Sequence, residues 1–199
     1  IAEDPVKPAT TSFGAAFRLL GDRTLLFLFL GILFVVGVDV GMNTATPKFL
    51  MEKTGMALEK AGWGTSIYFA ARTAGALIGA ILLAKYSARL FFKISMFVAI
   101  VALAIQLFLD QAFGIFVTVA VIGFAVANVF SILFSMALQR KPERANEISG
   151  LMVMGIAGGA LMPPIMGLMA DWMGQSGALL VILACMLYLL GASFWVKSR

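Results

Sequence analysis

The sequence predicts an all-α membrane protein of six transmembrane helices in a 3+3 inverted repeat. Three observations lead there. Of 199 residues, 61% are apolar and 13% are charged, the latter about half the usual share in soluble domains. Mean hydropathy is +0.99; a water-soluble core of this length could not hide so much apolar surface, and disorder requires the opposite composition. The apolar residues form continuous runs rather than the alternation of a membrane β-barrel, and lysine and arginine collect on one side of those runs.

The elements follow in order. Residues 1–23 mix two prolines with charges and hold a weakly amphipathic stretch, Phe13 to Leu20. They lack the apolar core of a signal peptide and read as a cytoplasmic linker with a helix leading into the first span. The chain starts at Ile1, which suggests a piece of a longer protein. Residues 24–199 form the six-helix domain, with spans at about 24–49, 62–84, 90–109, 112–138, 148–170 and 177–196, each near the ~20 residues that cross the hydrocarbon. Only Asp110 and Gln111 separate the third and fourth runs, so these must form a tight antiparallel pair. A short Asp171–Ser176 connection joins the last two. Three spans per half is an odd number, so the halves are inverted relative to each other, as in secondary transporters.

Orientation comes from the short loops. Lys7, Arg18, Arg23, Lys85, Arg89, Lys93, Arg140, Lys141, Arg144, Lys197 and Arg199 fall on one side, against Lys48, Lys53 and Lys60 on the other. Both termini of this multi-pass membrane protein are therefore expected in the cytoplasm. Trp63 and Trp172 would anchor the outer interface, Trp195 and Tyr86 the inner one. The same bias explains the net charge of +5 without nucleic acid, since no basic, aromatic-interleaved domain lies outside the spans.

Several chemistries drop out. There is no histidine and one cysteine, Cys185, so histidine or cysteine metal sites, an internal disulfide and histidine acid–base catalysis are absent. No serine has a recognisable base beside it. No catalytic residue, metal or cofactor is expected, and the chain is not an enzyme.

The informative residues are polar ones inside the spans. A mid-bilayer charge costs about 2.5–3.5 kcal/mol on insertion scales and needs a partner or a hydrated cavity. Asp39, in the first span, lies about seven residues (~10 Å) from its outer end. Arg72, in the second, lies about nine residues (~14 Å) from its outer end. Their depths nearly match, so they form a candidate pair, either a structural ion pair that fixes the packing or a site for a polar solute or a proton. Asp39, Asn43 and Thr46 share one helical face, beside Gly37 and Gly41, which weaken the helix locally, and Pro47, which can bend it. Tyr68, Arg72, Gly75 and Gly79 share a face of the second span, and Asn128, Ser131 and Ser135 a face of the fourth. Such stripes serve interhelical hydrogen bonding, or together line a hydrated cavity suited to a polyhydroxylated solute. The candidate substrate-binding set is Asp39, Asn43, Tyr68, Arg72, Asn128 and Ser131. The fifth span is rich in glycine and carries Pro163 and Pro164, which should kink or break it.

The stretch Phe130–Gly174 resembles the tenth and eleventh helices of the fucose-permease branch of the major facilitator superfamily, which includes L-fucose and glucose/galactose transporters. The matching positions are Phe134–Ser135, Ser149–Gly150, Gly158–Gly159–Ala160, Pro163–Pro164, Gly167, Asp171 and Gly174. Val36–Gly37–Val38–Asp39 resembles a seventh-helix motif of that branch, with Asp39 where Glu or Gln is common. Arg72, Gly75 and Gly79 resemble its G-R-F-x-G segment, with Ala71 in place of the first glycine. The resemblance implies half of a twelve-span fold, spans seven to twelve, in which the first helix of each triplet lines a central cavity. It also implies proton-coupled sugar symport by alternating access, with an amino-terminal six-helix half as partner. Two other readings stay open: a carrier of the same superfamily for another small solute, an organic anion or a drug, and a non-transporting membrane assembly module.

Overall fold

The computed structural model describes residues 17–195. The expected linker up to residue 16 lies outside them, as do Lys7, Lys197 and Arg199. Among the described residues there is no strand. Six helices are long and apolar enough to cross a membrane: α1 (Arg23–Thr54), α2 (Leu58–Leu83), α3 (Ala88–Gln106), α4 (Ala112–Arg140), α5 (Pro142–Met173) and α6 (Gln175–Trp195). In hydrocarbon a continuous apolar run has no other way to satisfy its backbone than to form a helix or join a closed barrel.

The ends are set locally. Asp22 caps α1, its carboxylate accepting from the Thr24 amide at 2.9 Å, and Ser87 caps α3 by accepting from the Leu90 amide, as short polar side chains do for orphan N–H groups. α1 runs past Phe49 to Thr54 and stops at Gly55, whose φ of 67° is left-handed, a conformation that costs glycine nothing. Gly174, at φ 69°, makes the break between α5 and α6 almost single-handedly.

The two triplets interlock. α1 packs along α5 and α6, and α4 packs along α2 and α3. Exchanging α1–α3 for α4–α6 maps each packing onto the other, the signature of an inverted repeat. Small residues let backbones approach at these crossings. A Cβ on Gly158 would collide with the Leu33 carbonyl, so α5 lies directly against the α1 backbone. Gly37 and Gly41, far from breaking α1, are receptors for Met162 and Met166 of α5. Cys185 of α6 is 3% exposed, with its sulfur 3.9 Å from that of Met162.

Prolines do not end the helices here. α1 is helical through Pro47, and α5 is helical through Pro163 and Pro164 to Met173. The interruptions in the last two-thirds of the bundle fall elsewhere, at a 3-10 turn over Gly155–Ala157 in α5 and at Ala127–Asn128 in α4.

Polar ties hold both ends of α1. At its start Asp22 pairs with Arg140 (3.5 Å) and Lys141 (3.4 Å) at the end of α4. At its far end Lys53 pairs with Asp110 between α3 and α4 at 3.0 Å, and the Glu52 carboxylate accepts from the Gln175 amide at 2.9 Å. Arg89 donates to the Phe194 and Ser193 carbonyls at the end of α6, a favourable place for a cation.

Candidate functional site

α1 sits between α2 and α5, and one strip of it stays open. Along that strip Val36, Asp39 and Val40 are half-buried, while Asn43 is exposed. Asp39 turns toward α2. Its Oδ2 lies 2.7 Å from a guanidinium nitrogen of Arg72, and its Oδ1 accepts from the Tyr68 hydroxyl at 2.7 Å. The carboxylate thus has both oxygens engaged by one helix, because Tyr68 and Arg72 lie four residues apart on the same face. Tyr68 is fully buried, held where the α2 backbone passes close to Gly123 of α4. The ions keep some access: the Arg72 side chain is 24% exposed and that of Asp39 is 13%. A charge pair that also accepts a phenol hydrogen bond satisfies the demand that buried ions be paired and hydrogen-bonded. Its remaining exposure leaves room for a solute to compete for the same groups.

Three of the expected site residues, Asp39, Tyr68 and Arg72, therefore meet. Asn43 is one turn farther along α1 and exposed. Its role in the structure is through its backbone: its carbonyl, left without a helical donor by Pro47, accepts from the Thr65 hydroxyl of α2 at 3.1 Å. Thr65 was not among the expected residues. Its signal was present, since proline at i frees the carbonyl at i−4, but nothing in one chain says which neighbour supplies the donor.

Asn128 is not part of this cluster. It is buried at 8% exposure at the interruption of α4, and its side-chain amide donates to the Gly75 carbonyl of α2 at 2.9 Å. A Cβ on Gly79 would meet the same amide. Asn128 and Ser131 therefore do not act as one face, because the helix interruption turns Asn128 into the α2–α4 seam while Ser131 stays exposed. Leu133 packs at Gly31 of α1, which puts Ser131 about two turns from Asp39 toward the Asp22 end. Among the described residues no cluster of histidine, cysteine, aspartate and glutamate could hold a metal ion.

A sequence profile of the Major Facilitator Superfamily matches residues 26–199. The chain belongs to this superfamily. It is 27% identical over 191 residues to a glucose/galactose transporter of Brucella abortus biovar 1 (strain 9-941), covering 95% of this chain and 45% of that protein. It is 24% identical over 177 residues to a putative glucose/galactose transporter of Helicobacter pylori (strain ATCC 700392 / 26695), covering 86% of this chain and 43% of that protein. Among solved structures, the transporter FucP in the outward conformation superposes with a TM-score of 0.84 at 18% identity, over 98% of this chain and 48% of FucP. An alanine variant of the E. coli fucose:proton symporter FucP gives 0.86 over the same shares. The chain spans about half the length of these superfamily relatives, and its six helices match one half of their fold. They are transporters, not enzymes, and six apolar helices make this chain a multi-pass membrane protein.

Proposed function

We propose that the chain is the carboxy-terminal half of a proton-coupled sugar carrier, of the glucose/galactose or fucose type, in a bacterial inner membrane. It works with an amino-terminal six-helix half by alternating access, with both termini in the cytoplasm. Residues 1–23 are the linker to that half, and residues 24–199 the transmembrane domain. The observation that carries this reading is the Asp39–Arg72–Tyr68 cluster, a charge pair part-open on the central helix of a superfamily member. Kinship with glucose/galactose transporters and the fold shared with a fucose:proton symporter support the choice of solute.

Sugar hydroxyls donate to the Asp39 carboxylate and accept from the Arg72 guanidinium, so a neutral polyol can insert into the pair without stranding either charge. Asn43 and Ser131 extend the polar surface along α1 and α4. Tyr68 orients the carboxylate, and Asn128 positions α4 on α2. A proton reaching Asp39 weakens its hold on Arg72, which is how loading and conformation become linked. An organic anion fits less well, because Asp39 already claims the guanidinium that would receive it.

The test is uptake of radiolabelled glucose, galactose and fucose by proteoliposomes holding the carrier that contains this chain, with and without an inward proton gradient. The expected result is sugar accumulation driven by the gradient and abolished by Asp39→Ala. No uptake of any of the sugars refutes the substrate class, and uptake indifferent to the gradient refutes the coupling.

A further inference from the structure

α5 presents two different flanks. Leu161, Ile165, Leu168 and Trp172 form an exposed bulky stripe at helical spacing, the composition of a lipid-facing side. On the other flank the residues are small. Gly159 is packed so that a Cβ would come within 3.2 Å of Val40 and 3.3 Å of Val36, and Ala160 beside it is exposed. Val36 and Val40 straddle Asp39 on the open strip of α1, so this flank of α5 borders the same opening as the charge pair, at the same depth and from the opposite side.

Pro163 and Pro164 follow four residues after Gly159 and Ala160. A proline has no N–H, and its ring pushes the carbonyl four residues back away from the helix axis. Both carbonyls therefore lose their helical donors although the helix continues. In α1 the corresponding carbonyl, that of Asn43, is taken by Thr65. Among the described residues no side chain donates to the carbonyls of Gly159 or Ala160. Within a membrane such acceptors must find a donor.

We propose that the carbonyl oxygens of Gly159 and Ala160, released by Pro163 and Pro164, form an acceptor subsite for substrate hydroxyls facing the Asp39–Arg72 pair. This deepens the sugar reading above and rests on it. The pair on α2's side supplies one charged acceptor and one charged donor. The α5 side supplies two neutral acceptors on rigid backbone, which suit a ring bearing several hydroxyls and offer nothing to an anion.

The test restores the missing donors without removing any side-chain function. Pro163→Ala and Pro164→Ala each return an N–H to one carbonyl. In the reconstituted carrier, each variant should raise KM for the transported sugar about threefold or more, the weight of one hydrogen bond, with kcat changed less. Monodeoxy analogues of that sugar are then measured on the wild type and both variants. One analogue should show no further rise in KM on a given variant, because the hydroxyl that variant affects is already gone. A loss equal for the sugar and every analogue, a change in kcat alone, or no change overturns the subsite while sugar transport stands. A wild-type carrier that moves no sugar overturns the sugar reading and the subsite with it. Melting temperatures of both variants at or above wild type are expected, since each gains a helical hydrogen bond; a fall would overturn the assignment of free carbonyls.

Discussion

Neutralising both members of the Asp39–Arg72 pair should harm stability less than neutralising one. For charges 2.7 Å apart, Coulomb's law at an effective dielectric near ~20 gives ~6 kcal/mol. Taking two ions out of water costs several kcal/mol each, so the intact pair contributes little net. Asp39→Asn alone strands Arg72. With its side chain 24% exposed, the guanidinium can lean toward water, which puts the loss near the lower end of the ~3–5 kcal/mol typical of a broken buried pair. Arg72→Gln alone strands Asp39. That loss is limited, because a stranded carboxylate can shed its charge by taking up a proton. The Tyr68 hydrogen bond survives in that variant and softens it further. The double variant leaves two amides able to bond to each other and should lose ~1–3 kcal/mol. With each single loss at ~3 kcal/mol, the coupling is about 3 kcal/mol, at the upper end for residues in contact. Equilibrium unfolding in mixed detergent micelles, followed by circular dichroism, reads all four proteins. Single losses that sum to the double within ~0.5 kcal/mol would refute the pairing.

Two further outcomes can be checked on the same footing. Thr65→Val should cost ~1–3 kcal/mol by leaving the Asn43 carbonyl without a donor. The same change in a Pro47→Ala background, where the helix supplies that donor, should cost less than half as much by the same unfolding assay. Asp22 gives a pH dependence. Burial alone would raise its pKa, but the Thr24 amide, Lys141 and Arg140 outweigh it, and the carboxylate ends below its ordinary 3.8. A group whose pKa is lower folded than unfolded stabilises above the unfolded value and loses that contribution as pH falls through the folded one. The melting-temperature gap between wild type and Asp22→Asn should therefore be constant from neutral pH down to about 4 and close only below it.

Much of this was legible in one chain because the bilayer leaves so few choices. Continuous apolar runs can only be helices here, and the odd number of spans in each half forces inversion. The Asp39–Arg72 pair was legible because two unpaired charges at matching depth on consecutive antiparallel helices have nowhere else to go. Tyr68 followed from its place one turn from Arg72. What stayed hidden was rotation about each helix axis. Asn128 sits on the same helical face as Ser131 in a regular wheel, yet the interruption at Ala127–Asn128 turns it into the α2 seam. Gly37 and Gly41 read as weak points of α1 until Met162 and Met166 are seen to fill them. The partners of Asp22 come from the end of α4, more than a hundred residues away, and charge placement alone assigned those cations only to membrane orientation. In each case the deciding contact lies on another helix, and periodicity within one helix carries no trace of it.

Cys185 has a practical bearing. The chain's one thiol is enclosed between α6 and the Met162 sulfur at 3% exposure, out of reach of a bulky charged maleimide. The domain is in effect silent to such reagents before any engineering. A reporter cysteine in place of exposed Ser131 or Asn43 would then be labelled alone, with no existing residue deleted first. Paired with a second dye in lipid or on the other half, it would record in real time when each end of the opening meets water.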